Sequence, residues 1–333
     1  MVSSLSGKTV LVTGADGFIG SHLTRKLVES GAHVRALVMY NSWGKKGWLD
    51  DERLDVLKNV EVLYGDIRDA TTVRNMVNTC DYVLHLSSLI AIPYSYDAPK
   101  SYVDTNVLGA FNVLQACRES SSLVRLVHVS TSEVYGSAQE VPISERHPLV
   151  AQSPYAATKI AADKLAESYY LSFGLPVVTA RPFNTFGPRQ TARAVIPTIA
   201  SQLLNGAKHI ALGSLEPTRD FNYVQDTVNG IIALSLCSEA EGEVVNIGTG
   251  EEWLIAETVY LLREISGNHA EIQIDARRIR PQKSEVNRLV ADVSKIHTLT
   301  GWKSEIPFKQ GLEKTCLWIS KNLDKFDLQS YSK

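Results

Sequence analysis

The stretch Thr9–Leu23, TVLVTGADGFIGSHL, decides the fold. Its first five residues, TVLVT, are β-branched or apolar throughout, the pattern of a strand covered on both faces. Gly14, Gly17 and Gly20 follow at intervals of three, and Phe18 and Ile19 open a helical pattern that runs to Ser30. Glycines between a strand and a helix let the chain turn tightly and bring main-chain N–H groups to a pyrophosphate, whose charge the helix N-terminus stabilises. A glycine triplet alone marks many turns. Set between strand and helix, Gly14, Gly17, Phe18, Ile19 and Gly20 read as a dinucleotide site.

Working outward, short β-branched runs (HVRALVM, VEVLYGD, DYVLHLS, LVRLVHVS, LPVVTAR) alternate with helical patterns near Pro99–Glu119 and Tyr155–Phe173. That alternation predicts an α/β fold with a Rossmann-type doubly wound parallel sheet. After Arg181 the elements shorten and Gly and Pro separate them, in FGPRQ, LGSLEPTRDF, NIGTGEEW and RRIRPQKSE. Residues 1–181 are therefore expected to form the NAD(P)-binding domain that carries the catalytic residues. Residues 182–333 are expected to form a smaller C-terminal α/β substrate lobe, with some chain returning to the first domain. Asn184–Arg189 and Arg277–Glu285 read as loops at the junction, where ligands usually bind.

The 333 residues are 44% hydrophobic and 21% charged, with 34 basic and 36 acidic side chains and a net charge of -2. No global field draws this chain to nucleic acid or to an anionic membrane, so any phosphate recognition is local. No window approaches the ~20 apolar residues that span a bilayer. The start, MVSSLSGKTVLVTG, runs into a strand without a leader pattern. Cys80, Cys117, Cys237 and Cys316 match neither a disulfide framework nor metal-ligand spacing, so reduced thiols, a cytoplasmic location and no metal are expected.

Tyr155 and Lys159, in SPYAATKIAADKL, are one helical turn apart and share a face. A nearby ammonium favours the phenolate, and bringing a tyrosine from its reference pKa of ~10 to near neutrality requires about 4 kcal/mol of differential stabilisation. A positively charged oxidised nicotinamide adds to that stabilisation. Such a tyrosine takes the proton of a sugar hydroxyl as hydride leaves the carbon. Upstream, HVSTSEVYG ends a strand with Thr131, Ser132 and Glu133, a place where a turn or helix cap is the ordinary occupant.

These motifs span nearly the whole chain and together resemble the extended branch of the short-chain dehydrogenase/reductase superfamily, the NAD-dependent epimerases and dehydratases of nucleotide sugars. The resemblance implies that Asp66 and Ile67 flank the adenine and that Leu86, Ser87 and Ser88 line ribose and pyrophosphate. In HVRALVMYNSWGKK the strand end has no acid for the adenosine ribose, so NAD and NADP both stay open, with NAD expected. Arg35, Lys45 and Lys46 are the basic residues near that edge; Asn41 and Ser42 are the alternative partners for ribose hydroxyls.

A carboxylate at position 133 resembles the 4,6-dehydratases and a decarboxylating group, whereas simple 4-epimerases tend to continue with small or hydroxyl residues. Many relatives carry Asp where this chain has Ser132; the Ser-Glu form resembles dehydratases of GDP-mannose and of nucleotide-activated N-acetylglucosamine. It implies that Glu133 removes the C5 hydrogen and also protonates the departing C6 hydroxyl, with Thr131 assisting Tyr155 and the hydride returning to C6 to give a 4-keto-6-deoxy sugar. AIPYSY, RPFNTFGPRQ and ARAVIPTI look most similar to N-acetylhexosamine 4,6-dehydratases that feed legionaminic-acid-type surface sugars. The expected substrate is thus a UDP- or GDP-N-acetylglucosamine or a related hexose. A UDP-hexuronate decarboxylase, a 4-epimerase and a catalytically silent cofactor-sensing protein stay open as alternatives.

For the substrate side, arginine forks suit diphosphate oxygens. The resemblance assigns Asn184 and Arg280 to phosphates and Arg219 to the nucleotide, with Arg189 and Glu285 in the same settings. It also places Tyr94, Ser95 and Tyr96 beside the sugar, has Asn106 support the strand ends, and pairs two helices of each copy into a homodimer.

Overall fold

The computed structural model describes residues 4–326; Met1–Ser3, at the head of the stretch read for a leader, and residues 327–333 lie outside it. Seven parallel strands form one sheet: β1 (Thr9–Thr13), β2 (His33–Met39), β3 (Val60–Gly65), β4 (Tyr82–His85), β5 (Arg125–Val129), β6 (Val177–Pro182) and β7 (Val244–Ile247). Their order is β7-β6-β5-β4-β1-β2-β3. The order reverses between β1 and β4, where Thr13 lies level with Leu37 of β2 and His85 of β4. In such sheets ligands bind beyond the carboxyl ends of the strands at that reversal.

The strands read as unbroken apolar runs because helices cover both faces. Val10, Val12, Leu84, Val127 and Val178 belong to one buried cluster, and Leu11, Val83, Leu126 and Val177 to another. Four helices matter for the site: α1 (Phe18–Glu29), α2 (Gly109–Glu119), α3 (Pro154–Phe173) and α4 (Val224–Leu236). The helix expected near Pro99–Glu119 is not uniform. It widens into a π-helical turn at Val103–Leu108, a distortion that recurs at functional sites.

The fold is less cleanly divided than the chain order suggests. β7 returns to the sheet from the C-terminal half, and α4 packs against α1, β5 and β6. Asn184–Phe186, expected as a loop, is a short strand parallel to Phe221–Tyr223, and both are anchored in an aromatic cluster where Phe221 stacks on Phe308 at 5.3 Å. Among the described residues no helix is long and apolar enough to cross a membrane, and the four cysteines are buried and unpaired.

Candidate active site

At the β1–α1 turn, a side chain on Gly14 (φ +69°) would meet the main chain of Ser87 at 3.0 Å, and one on Gly20 would meet the Gly14 carbonyl oxygen at 2.0 Å. The turn therefore closes only with glycine. Gly17 caps α1 without a side-chain hydrogen bond, which leaves the first N–H groups of the helix to face a ligand. The β4 end is drawn into the same place: the Thr13 hydroxyl accepts from the amides of Leu86 and Ser87, each at 3.1 Å, and pairs with His85 Nδ1 at 2.8 Å. Gly14, Gly17, Gly20, Leu86, Ser87 and Ser88 thus lie together, and this cradle fits a dinucleotide pyrophosphate.

Of the two residues expected to flank the adenine, Ile67 is buried against Gly109, and Asp66 pairs with Arg68 at 2.5 Å, which holds its carboxyl below the usual range. Arg35, weighed as a phosphate partner, is spent inside the fold. It pairs with Glu61 at 2.9 Å and donates to the Met76 carbonyl at 2.6 Å. Asn41, expected on the ribose, uses its amide to close its own loop, accepting from the Lys45 amide and donating to the carbonyls of Met39 and Lys45. No hydrogen bond involves the Ser42 hydroxyl among the described residues.

The side chains expected to be catalytic converge from the end of β5 and from α3. Thr131 caps the short turn Ser132–Tyr135, its hydroxyl accepting from the Glu133 amide at 3.2 Å. Glu133 is 9% exposed and Tyr155 6% exposed, so both act away from bulk water. Burial pushes the Tyr155 phenol well above its ordinary value, the Thr131 hydroxyl counteracts it, and the charge of Glu133 pushes it further up. The protein alone therefore holds Tyr155 neutral, and the phenolate expected from sequence needs a cationic ligand to complete it. Lys159 does not oppose that burial directly, because its ammonium donates to the Val129 carbonyl at 2.8 Å. Burial brings its pKa down to about 8, and the charge of Asp163 resists that fall.

Asp163 was missed in the sequence, although it continues the Tyr155–Lys159 stripe by one further turn. It receives Arg181 at 3.0 Å and lies 3.3 Å from His128, and Arg181 donates to Tyr135, whose hydroxyl donates to Asn246. This buried network ties α3 to β5, β6 and β7. Asn106, from the π-helical turn, accepts from the Leu89 amide and the Ser88 hydroxyl and donates to Thr158, so it joins the β4 loop to α3.

The C-terminal half supplies cations. Arg219 lies 3.5 Å from Glu285, and Arg280 stands 3.8 Å from Glu285 and 4.0 Å from Glu133. Gln152 donates to the carbonyls of Lys283 and Glu285, and the Ser284 hydroxyl donates to the Gln152 carbonyl and pairs with Tyr96. Those contacts fix the loop, and neither Gln152 nor Ser284 announced itself in the sequence. Tyr94 is 41% exposed on the same side, and Asn184 keeps a buried side-chain oxygen without a hydrogen bond. Ser95 is fully buried and donates to the Ile92 carbonyl, which removes it from the sugar. Arg189 also points elsewhere. It is 5% exposed and pairs at 2.6 Å with Glu52, which Arg25 of α1 grips as well, so its guanidinium clamps the two halves together. Among the described residues no group of His, Cys, Asp and Glu side chains is arranged to hold a metal.

The chain is similar to known proteins over nearly its whole length. The chain is 32% identical over 322 residues to dTDP-D-glucose 4,6-dehydratase of Homo sapiens, covering 95% of this chain and 91% of that one. It is 31% identical over 336 residues to UDP-glucuronic acid decarboxylase 1 of Xenopus tropicalis, covering 97% and 75%. The crystal structure of UDP-glucuronic acid 4-epimerase from Bacillus cereus, in complex with UDP-glucuronic acid and NAD, superposes with a TM-score of 0.86 at 30% identity, covering 94% of this chain and 99% of that one. Three reactions stand at nearly equal similarity, so likeness alone reaches no further than the family. The family model for GDP-mannose 4,6-dehydratase matches residues 11–315, and the chain belongs to that family, among the epimerases and dehydratases of the extended short-chain dehydrogenase/reductase group.

Proposed function

We propose that this protein is an NAD-dependent 4,6-dehydratase of a nucleotide-diphosphosugar, a UDP- or GDP-N-acetylglucosamine or a related hexose. The observation that carries the reading is Glu133, a buried carboxylate on the turn capped by Thr131, with Tyr155 on one side and Arg280 on the other. NAD bound at the glycine turn supplies a hydride acceptor for C4 and, later, a donor for C6. Tyr155 takes the C4 hydroxyl proton, with Thr131 steadying the phenol oxygen. Oxidation acidifies C5–H, and Glu133 takes that proton. The C6–O bond then breaks, Glu133 gives the proton to the departing hydroxide, and water leaves; once hydride has returned to C6, C5 takes a solvent proton through Glu133 and Tyr155 releases the C4 proton to solvent, which restores both groups. Ser132 carries no proton in this scheme. Lys159, hydrogen-bonded to Val129, is the fixed positive charge beneath the site.

Arg219 and Arg280 with Asn184 form the cationic and amide handle for the diphosphate. One observation favours a second reading: Arg280 beside Glu133 and Arg219 beside Glu285 also suit a C5 carboxylate, as decarboxylation of a UDP-hexuronate requires. Product masses decide between them. UDP-, GDP-, CDP- and dTDP-hexoses and UDP-hexuronates are incubated with the protein and NAD. Loss of one water supports dehydration, loss of carbon dioxide replaces it with decarboxylation, and a stereochemical change at constant mass replaces it with 4-epimerisation. Tight NAD binding with every sugar unchanged leaves the cofactor-sensing alternative.

A homodimer through α2 and α3 is part of the same proposal. Phe111, Leu171 and Phe173 are exposed on these helices, with Leu108 exposed at the end of the π-helical turn that leads into α2, and Phe111, Tyr169 and Phe173 form one aromatic seam. Light scattering on the eluting protein gives the mass, and Phe111→Glu should yield monomers.

A further inference from the structure

The end of β2 lacks the acid that usually receives the adenosine ribose hydroxyls, yet a carboxylate lies there from another part of the chain. Asp16 belongs to the glycine turn, and its Oδ2 accepts from the amide of Met39, the last residue of β2, at 3.3 Å. Its position is built. The Asp16 carbonyl accepts from the Trp48 amide at 3.0 Å, and Gly47 (φ +57°) approaches so closely that a side chain there would meet Asp16 at 2.4 Å. Burial raises the carboxyl above its usual pKa, so the fold maintains this group at a desolvation cost. Other acids along the edge are committed, Glu61 to Arg35 and Asp66 to Arg68.

We propose that Asp16 is the residue that selects the cofactor: its carboxylate accepts from the adenosine ribose hydroxyls in place of the missing β2 acid and repels a 2′-phosphate, so NAD is taken and NADP refused. The inference rests on the dinucleotide site of the proposed function. A carboxylate against a ribose hydroxyl gains a charge-assisted hydrogen bond, whereas against a phosphate it meets a like charge. Lys45 and Lys46 pull the other way: they stand on the loop that follows β2, Lys45 exposed and Lys46 half-buried, and neither has an ion pair among the described residues.

Nucleotide-free protein is titrated calorimetrically with NAD, NADP and the 2′-deoxy analogue of NAD, with no sugar present. Wild type is expected to bind NAD about tenfold or more tighter than either of the others, the effect of one like-charge contact or one lost charge-assisted bond. Asp16→Asn, which keeps an acceptor for the Met39 amide, should bring NADP close to NAD, chiefly by gaining NADP affinity; Asp16→Ser repeats the test should the first variant not fold. A double Lys45→Ala, Lys46→Ala variant should keep the preference. The proposal is overturned if wild type binds NAD and its 2′-deoxy analogue equally, if either Asp16 variant keeps the full discrimination, or if wild type prefers NADP and the lysine variant abolishes that. Failure of folded wild type to bind any of the three strikes instead at the dinucleotide site itself.

Discussion

Glu133 and Arg280 face each other at 4.0 Å across the junction of the two halves, and the Arg280 nitrogen nearest Glu133 is buried without a hydrogen bond. A buried guanidinium nitrogen left unbonded is costly unless a ligand completes it. Removing the carboxylate should separate the chemical steps. Glu133→Gln is expected to retain C4 oxidation, seen as cofactor reduction in a single turnover, and to lose water elimination by on the order of 10²–10⁴-fold. Solvent deuterium should enter C5 only with Glu133 present. Equal incorporation in both proteins removes Glu133 from that role.

Lys159 carries a pH signature. Its folded pKa is about 8, below the ordinary 10.5, because burial disfavours the ammonium. The unfolded chain therefore binds more protons between these values, and stability rises as pH climbs through that window. Below pH 8 both states are protonated and the full penalty, roughly 3 kcal/mol, is present. Lys159→Met should thus melt higher than wild type at pH 7, by less than that penalty since the bond to Val129 is lost. The gap should close as pH approaches 10.5, and hydride transfer should be absent throughout. A gap independent of pH refutes the assignment. In wild type, the ammonium-dependent rate should fall above about pH 8.

The reach of the sequence can be followed residue by residue. The turn at Gly14–Gly20, β2 and the Tyr155–Lys159 face are set by local spacing, so periodicity locates them. β7 is only four residues long in a glycine-rich run and takes its identity from pairing with β6. Asn41 reads as a partner for ribose hydroxyls until the fold turns it onto Lys45, and nothing in the spacing singles out Asp16 until β2 ends beside it. Arg189 lies in a motif suited to phosphate, yet Glu52, far away in the chain, claims it. Partner choice among polar side chains depends on which distant segments meet, and spacing does not encode that.

Asp163 tests the network beneath α3. It is 3% exposed, with Arg181 at 3.0 Å and His128 at 3.3 Å. Asp163→Asn leaves the buried Arg181 charge without its counterion, a loss of roughly 3–5 kcal/mol measured by urea unfolding. It also removes the charge that holds the Lys159 pKa up, so the alkaline fall in activity should move to lower pH. Loss of stability with an unmoved pH profile leaves Asp163 a purely structural residue.

The last prediction concerns Arg189, since sequence and structure assign it different work. As a substrate ligand it would control KM; as a clamp it controls stability. Its partner Glu52 has a fully buried side chain gripped by Arg25 through two nitrogens, and His22 beside them is pushed down to about 4 by burial. Arg25 remains to neutralise Glu52 when Arg189 is cut back, so the loss falls short of a fully orphaned charge. Arg189→Met should cost about 2–3 kcal/mol in urea unfolding and leave the nucleotide-sugar KM within about twofold of wild type, a difference under 0.5 kcal/mol. Arg280→Met should do the reverse, raising KM with little change in stability, because its guanidinium is held only by longer contacts to Glu133 and Glu285. A large rise in KM for Arg189→Met at unchanged stability would return Arg189 to the substrate.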